Sequence, residues 1–239
     1  MFSGTECLSN AFRARGHQCF TVDWDEKFPS SLHIDIGELT ADMILEKFGV
    51  PDIVWVGTDC TSFSMAGISH HRRKNTETGN LDPVSDYAKK CDKVNVHVKE
   101  LIKELNPRIQ IWENPRGGLR KMWYMQDLNL QTTTYCQYGF PYMKPTDFFS
   151  NVDLHLKPPC KNGDSCHERA PRGSRTGLQG VKGAEARSMY PPKLCEHMVD
   201  VCESYLSETN LYDKCKSCGN KWSSFECDVC EDFDMYKES

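Results

Sequence analysis

Residues 51–115 narrow the folds open to this chain more than any other stretch. "PDIVWVG" is a short run of branched and aromatic residues ended by Gly57, the pattern of a buried strand. "VSDYAKKCDKVNVHVKELIKEL" then places apolar residues at helical spacing over a long segment, and "PRIQIWENP" is a second strand closed by Pro115. A strand, a long amphipathic helix and another strand make a crossover, which sets the two strands parallel in one sheet.

The same alternation runs through the residues before it. "CLSNAFRARGH" predicts a helix that stops near Gly16, "QCFTVDWD" a strand ending in acids, and "ADMILEKFG" a second helix. Beyond Pro115, "LQTTTYCQYGF" and "TDFFSNVDL" predict two strands joined by a turn, a final antiparallel hairpin. Residues 158–183, rich in Gly, Pro and charge, form an irregular inserted loop, and "PPKLCEHMVDVCESYLSE" is a last helix with proline at its start. The expected fold is α/β, a parallel sheet with helices on both faces. Residues 1–208 make one domain with an insertion at 158–187, and residues 209–239 make a small cysteine-bearing tail. No apolar run approaches the roughly 18 residues of a membrane span, and the first residues do not resemble a signal peptide, so a cytoplasmic protein is expected.

Net charge is −5, which at first argues against a nucleic-acid partner. Its distribution reverses that reading. Residues 196–239 carry eleven acidic side chains against four Lys and Arg, whereas residues 161–187 carry six basic against three acidic. An acidic tail masks a body with local basic segments.

In such sheets ligands bind at the carboxyl ends of the strands. "FSGTECLSNAF" puts Phe2, Ser3, Gly4 and Thr5 in a turn leading to a helix N-terminus, which can receive an anion or simply begin a helix. Asp23 ends the next strand, where it can hold ribose hydroxyls, with Trp24 placed to stack on a purine; a loop acid beside a half-buried Trp is the plain alternative. Asp35 and Ile36, in "HIDIGEL", are a third candidate contact. Cys60, in "GTDCTSFSMAGISHHRR", and the pair Glu113-Asn114 follow two further strands, so one cleft can contain both a nucleophile and an acid–base partner.

Taken in order, these segments resemble the DNA cytosine-5 methyltransferases. "FSGTECLSNAFRARGH" is similar to their first S-adenosylmethionine motif and "TVDWD" to the strand whose acid grips the cofactor ribose. "TDCTSFS" resembles their nucleophile loop, "WENPRGG" their Glu-Asn motif, "YGFPYMKPT" the approach to their arginine motif, and "EARSMYPPKL" the last cofactor motif. The likeness covers about residues 1–200 and is that of small phage-borne members with a minimal target-recognition region. It implies a Rossmann-like sheet, S-adenosylmethionine as cofactor, double-stranded DNA as partner, and a monomer. It also implies that Cys60 adds to carbon 6 of a flipped cytosine, that Glu113 stabilises the ring and that Asn114 positions the loop. Lys144 stands at the first arginine position of the family motif and Thr146 at the second, and Asp59 replaces the usual proline before the nucleophile. Met1-Phe2 leaves almost no first strand before the cofactor turn. "SHHRRK" supplies His70, His71, Arg72 and Arg73 for phosphates, and the basic insertion supplies Arg172 and Arg175. A non-catalytic DNA-binding relative, or an enzyme acting on RNA or a free nucleotide, shares the same features.

Thirteen cysteines, an odd number with several in close pairs, suit metal ligation and a catalytic thiol better than a disulfide framework. "CKSCGNKWSSFECDVC" sets Cys215, Cys218, Cys227 and Cys230 as two Cys-x-x-Cys pairs, the spacing of a tetrahedral zinc knuckle. "CKNGDSCHE" offers Cys160, Cys166 and His167 as three further ligands, with Cys136 or Cys195 available as a fourth and structural thiols as the alternative.

Overall fold

The computed structural model describes residues 1–2, 4–168, 186 and 188–217, with the side chains of the last helix described as far as Glu208. The chain divides into two units, Met1–Val199 and Asp200–Ser239, the division falling inside that helix.

The crossover forms as the pattern requires. Strand β3 (Ile53–Gly57) leads through a small excursion to helix α4 (Asp86–Leu105) and returns as β6 (Ile109–Pro115), which lies parallel to β3. Helix α4 begins where the Ser85 side chain accepts from the Ala88 amide at 3.1 Å, with Asp86 in the positive first turn. It ends at Asn106 in the left-handed region (φ 44°), which asparagine tolerates better than most non-glycine residues. Ala88, Val98, Leu101, Ile102 and Leu105 recur at helical spacing on its buried side.

The rest of the sheet is mixed. Strands β7 (Asn129–Thr134) and β8 (Pro145–Ser150) form the expected antiparallel hairpin, and β8 inserts between β6 and β7 to give the order β3-β6-β8-β7. Three of the four strands therefore point the same way, and only β8 runs against them. Strand β6 is flanked on both sides, so Ile111, Trp112, Glu113 and Asn114 are all buried. The expectation that residues 130–140 form one strand is corrected. Pairing stops at Thr134, and Tyr135–Tyr138 is a 3-10 turn closed by Gly139 at φ 91°.

The N-terminal elements are short. Helices α1 (Cys7–Ala14) and α2 (Ala41–Phe48) form as the pattern indicates. Of the expected acidic-ended strand only Val22–Asp23 (β1) forms, and it pairs in parallel with Leu32–His33 (β2), a strand the sequence did not indicate. Met1 nevertheless takes a strand's place beside β3: its nitrogen donates to the Trp55 carbonyl at 2.8 Å and its carbonyl accepts from the Gly57 amide at 3.3 Å. That pair of bonds is a one-residue parallel ladder.

The basic segment after Cys60 has structure of its own. Ile68–His71 is a short helix (α3), and Arg72–Lys74 (β4) pairs antiparallel with Leu81–Pro83 (β5). The connecting turn is held by Asn75, whose side chain accepts from the Glu77 and Thr78 amides at 3.0 and 3.1 Å. Residues 151–168 contain no helix or strand, and α5 spans Pro192–Ser217 with Pro192 at its first position, as the sequence indicates. Among the described residues no helix is long and apolar enough to cross a membrane.

Candidate active site

Parallel pairing of β3 and β6 sets Gly57 opposite Glu113, so the chain carrying Cys60 leaves the sheet beside the Glu-Asn pair. Asn114 fastens the two together. Its side-chain amide donates to Thr58 Oγ1 at 2.8 Å, to the Thr58 carbonyl at 3.2 Å and to the Asp59 carbonyl at 3.4 Å. Asn114 Oδ1 is buried with no partner among the described residues. After Cys60 the backbone turns at once: its carbonyl accepts from the amides of Phe63 and Ser64 at 3.2 and 2.7 Å. The turn then lies against the two glycines that follow β6. Gly118 donates to the Phe63 carbonyl at 2.7 Å, and a Cβ at Gly117 would lie 2.2 Å from that same oxygen. Glycine at 117 is thus required by the approach of the loop that follows Cys60.

Glu113 is a buried carboxyl with phenolic partners. Tyr190 donates to Oε2 at 3.0 Å and Tyr135 faces Oε1 at 3.5 Å. Lys144 lies over the Tyr135 ring at 4.5 Å, with Nζ 3.4 Å from the phenol oxygen. Burial pushes the Glu113 pKa up, against the opposing pull of Lys144 and the two tyrosines. The carboxyl thus keeps its proton to higher pH than an ordinary glutamic acid, which suits a proton donor.

Cys60 is solvent-accessible, yet the packed walls of its recess push its thiol pKa up, with the charges of Asp59 and Glu113 acting the same way and Lys144 opposing them. The thiol, the carboxyl and the ammonium therefore share one electrostatic neighbourhood. Asp59 is turned into the loop, where Oδ1 accepts from the Thr61 amide at 2.7 Å. Burial and a hydrogen bond to Asp59 push the Tyr87 phenol well up. Thr146 is fully buried opposite Pro115, and its hydroxyl is spent on the Lys144 carbonyl at 3.2 Å.

The residues expected to hold a cofactor lie at the ends of the neighbouring short strands. Asp23 is buried; its Oδ2 accepts from Gly4 at 3.0 Å and its Oδ1 from Asp25 at 3.1 Å. Gly4 is at φ 48°, and a Cβ there would meet no atom within 4 Å, so space lies open in front of the turn. Trp24 is 68% exposed beside the buried acid, an indole with an uncovered face. Phe2 and Thr5 are half-buried. Asp35 accepts from Gly37 at 3.0 Å and from Lys90 at 3.3 Å, capping the turn that buries Ile36. Each carboxylate keeps lone pairs beyond these bonds, and the open turn and bare indole fit a nucleoside-bearing cofactor. Ser3 lies outside the described residues.

The cations after Cys60 separate into two groups. Arg72, expected to face phosphates, is buried instead. It bonds to the Ser62 carbonyl and hydroxyl, both at 3.1 Å, and to both carboxylate oxygens of Asp92 at 2.8 and 3.0 Å, and it stacks on the Phe63 ring at 4.1 Å. Its place as the first residue of β4 turns it inward, where it braces the loop. His70 and Arg73 are exposed, and His71 is half-buried with Nδ1 2.8 Å from Ser85 Oγ.

Cys160, Cys166 and His167 converge with Cys136, while Cys195 is buried apart from that group. Cys215 falls in the last helix with its side chain outside the described residues, and Cys218, Cys227, Cys230, Arg172 and Arg175 lie outside them altogether.

Sequence reasoning did not single out Tyr135, Tyr190 or Thr58. All three were visible only as members of longer motifs, because their partners sit on other strands. Tyr135 carried one faint signal, an aromatic residue with a polar end at the close of a buried strand.

No protein-family model matches the chain, and no curated protein matches it. Among solved structures, it is similar to a candidate DNA modification methyltransferase encoded within a prophage of E. coli, at 20% identity and TM-score 0.46 over 71% of this chain and 51% of that one. It is also similar to the S. pombe Dnmt2 methyltransferase, at 12% identity and TM-score 0.43 over 66% and 50% of the two chains. The third is the Entamoeba histolytica methyltransferase EhMeth, at 10% identity and TM-score 0.45 over 65% and 53%. The chain spans about half the length of each.

Proposed function

We propose that this chain is a DNA cytosine-5 methyltransferase that uses Cys60 as its nucleophile. One observation carries the reading: Cys60 and a buried, proton-retaining Glu113 leave adjacent parallel strands, fastened by Asn114. A cytosine ring is a poor nucleophile at carbon 5, and a thiol paired with an acid is what activates it.

In this mechanism Cys60 gives up its proton to solvent and its thiolate sulfur adds to carbon 6 while the protonated Glu113 gives its proton to ring nitrogen 3, leaving carbon 5 electron-rich. Bound S-adenosylmethionine supplies the electrophilic methyl group. A base then removes the carbon 5 proton and the sulfur–carbon 6 bond breaks, releasing the thiolate as nitrogen 3 returns its proton to Glu113. Tyr190 and Tyr135 hold Glu113 in place and Lys144 offsets negative charge beside the thiol. Gly4, Asp23, Trp24 and Asp35, with Phe2, Ser3, Thr5 and Ile36 around them, would hold the cofactor. His70, His71 and Arg73, together with Arg172 and Arg175 of the 158–187 segment, would hold DNA phosphates. Cys215, Cys218, Cys227 and Cys230 would bind a zinc ion in the tail. The short recognition segment accords with a small phage-type enzyme.

A fluorine at carbon 5 blocks the final proton removal. With S-adenosylmethionine and 5-fluorocytosine duplexes of many sequence contexts, enzyme and DNA should stay joined through denaturing electrophoresis. Cys60→Ala should abolish the adduct and Glu113→Gln should slow it by about 10²–10³-fold. An adduct that survives in Cys60→Ala would remove the thiol from the mechanism.

A second reading has one observation in its favour. Asp59 and Glu113 both oppose ionisation of Cys60. A DNA-binding relative without transferase activity would bind cofactor and duplex, yet give neither adduct nor labelled DNA.

A further inference from the structure

Three cysteines and one histidine meet beside the turn that follows β7. Cys136 comes from the 3-10 turn after β7, and Cys160, Cys166 and His167 come from the segment that begins the insertion. Their ligand atoms all lie within 4.8 Å of one another. The edges are informative. Cys160 Sγ and Cys166 Sγ lie 3.6 and 3.5 Å from His167 Nδ1, and Cys166 Sγ lies 3.7 Å from Cys136 Sγ. A tetrahedron built on zinc–sulfur bonds of ~2.3 Å and a zinc–nitrogen bond of ~2.05 Å has sulfur–sulfur edges of about 3.8 Å and sulfur–nitrogen edges of about 3.6 Å. These three edges match. The Cys136–Cys160 edge, at 3.1 Å, is shorter than the tetrahedron and longer than a disulfide, whose bond is about 2.05 Å.

We propose that Cys136, Cys160, Cys166 and His167 form a structural zinc site, distinct from the cysteine pairs of the tail, that fixes the base of the 158–187 insertion to the turn carrying Tyr135. Three thiolates and one imidazole close the coordination sphere, so the ion takes no water and does no chemistry. With Nδ1 ligating, the hydrogen of His167 sits on Nε2, which is buried with no acceptor among the described residues.

The surroundings fit a clamp. The Cys160 amide donates to Thr134 Oγ1 at 3.0 Å, the Lys157 amide to Tyr138 Oη at 3.0 Å, and the Glu168 amide to the Pro141 carbonyl at 2.7 Å. Residues 151–168 have no helix or strand of their own, and bonds such as these, with the Asn151 contacts to Arg108 and Gln110 near its start, tie the segment down beside the ion. Tyr135, next to Cys136, is the residue that faces Glu113. On the proposed function the ion would therefore join the DNA-contacting insertion to the carboxyl that acts on the base.

Zinc content decides the matter without any assay of methyl transfer, so its failure and that of the Cys60 mechanism are told apart. The full chain carrying Cys215→Ser and Cys218→Ser should retain about one equivalent of zinc by elemental analysis. Adding Cys160→Ser and Cys166→Ser should reduce it to none. Cobalt substituted into the tail-variant protein should give the strong d–d and sulfur charge-transfer bands of tetrahedral thiolate coordination. His167→Cys should keep the metal and shift those bands, which a misfolded variant could not do. Zinc absent from the freshly reduced tail variant would overturn the site, as would a Cys136–Cys160 disulfide found by mass spectrometry in its place.

Discussion

The amide of Asn114 reaches Thr58 twice, at 2.8 Å to the hydroxyl and 3.2 Å to the carbonyl, so one buried side chain holds the backbone that leads to Cys60. Removing it leaves a buried carbonyl and hydroxyl without their donor. Asn114→Ala should cost about 1–3 kcal/mol in urea unfolding. Asn114→Asp should cost more, because a carboxylate would face two carbonyl oxygens. Both should speed alkylation of Cys60 by loosening its loop. Unchanged stability and unchanged alkylation would deny Asn114 its positioning role.

Glu113 makes stability depend on pH. Its folded pKa is raised above the unfolded value, so the native state binds the proton more tightly than the unfolded chain does. The stability this contributes is complete below the unfolded pKa and is lost as pH rises through the folded pKa. Glu113→Gln keeps the shape and never ionises. It should therefore be more stable than the parent at pH 8, by about 1 kcal/mol, the size common for a single stabilising change. The difference should vanish near pH 4. Thermal unfolding at the two pH values measures it, and a parent as stable as the variant at both would show that burial does not tax this carboxylate.

Asp59 is the departure with the clearest electrostatic sign. Desolvation comes first in raising the Cys60 pKa, and the neighbouring anion adds to it. Asp59→Asn keeps an acceptor for the Thr61 amide and removes the charge. The midpoint of iodoacetamide alkylation against pH, followed by mass spectrometry at Cys60, should lie above that of an ordinary thiol in the parent and lower in the variant. An identical midpoint in both would mean that solvent screens Asp59 from the sulfur.

What the sequence made legible was decided by where each interaction is encoded. The crossover at 51–115 depends on local periodicity, and it appeared with the expected elements. The adjacency of Cys60 to Glu113-Asn114 followed from it, since parallel neighbours share an edge. Tyr190 could not be found that way, because it meets Glu113 across 77 positions with no periodic trace. Cys136 could be offered only as one of two possible fourth ligands until the turn after β7 brought it to Cys160 and Cys166. Arg72 misled for a related reason. A run of five basic side chains looks solvated, and only strand pairing at β4 reveals which of them turns inward.

Arg72 and Arg73 therefore differ in what each can be tested for. Arg72 is buried against Asp92, whose carboxylate also accepts from the Tyr124 hydroxyl at 2.9 Å. Arg72→Ala leaves that carboxylate and the Ser62 carbonyl without their cation, a loss of about 3–5 kcal/mol. Arg72→Lys should recover part of it, since an ammonium keeps the charge but not the forked contacts. Arg73 is exposed, its guanidinium resting on the carbonyls of Ser69 and Arg72. Arg73→Ala should change stability by no more than about 0.5 kcal/mol. If Arg73 meets a phosphate, the same variant should lower the slope of log K against log salt by about 0.9. Duplex binding titrated across a salt series, beside urea unfolding of each variant, reads both effects. A slope unmoved by Arg73→Ala and His70→Ala together would take this segment off the DNA-facing surface, leaving the insertion at 158–187 as the remaining basic contact.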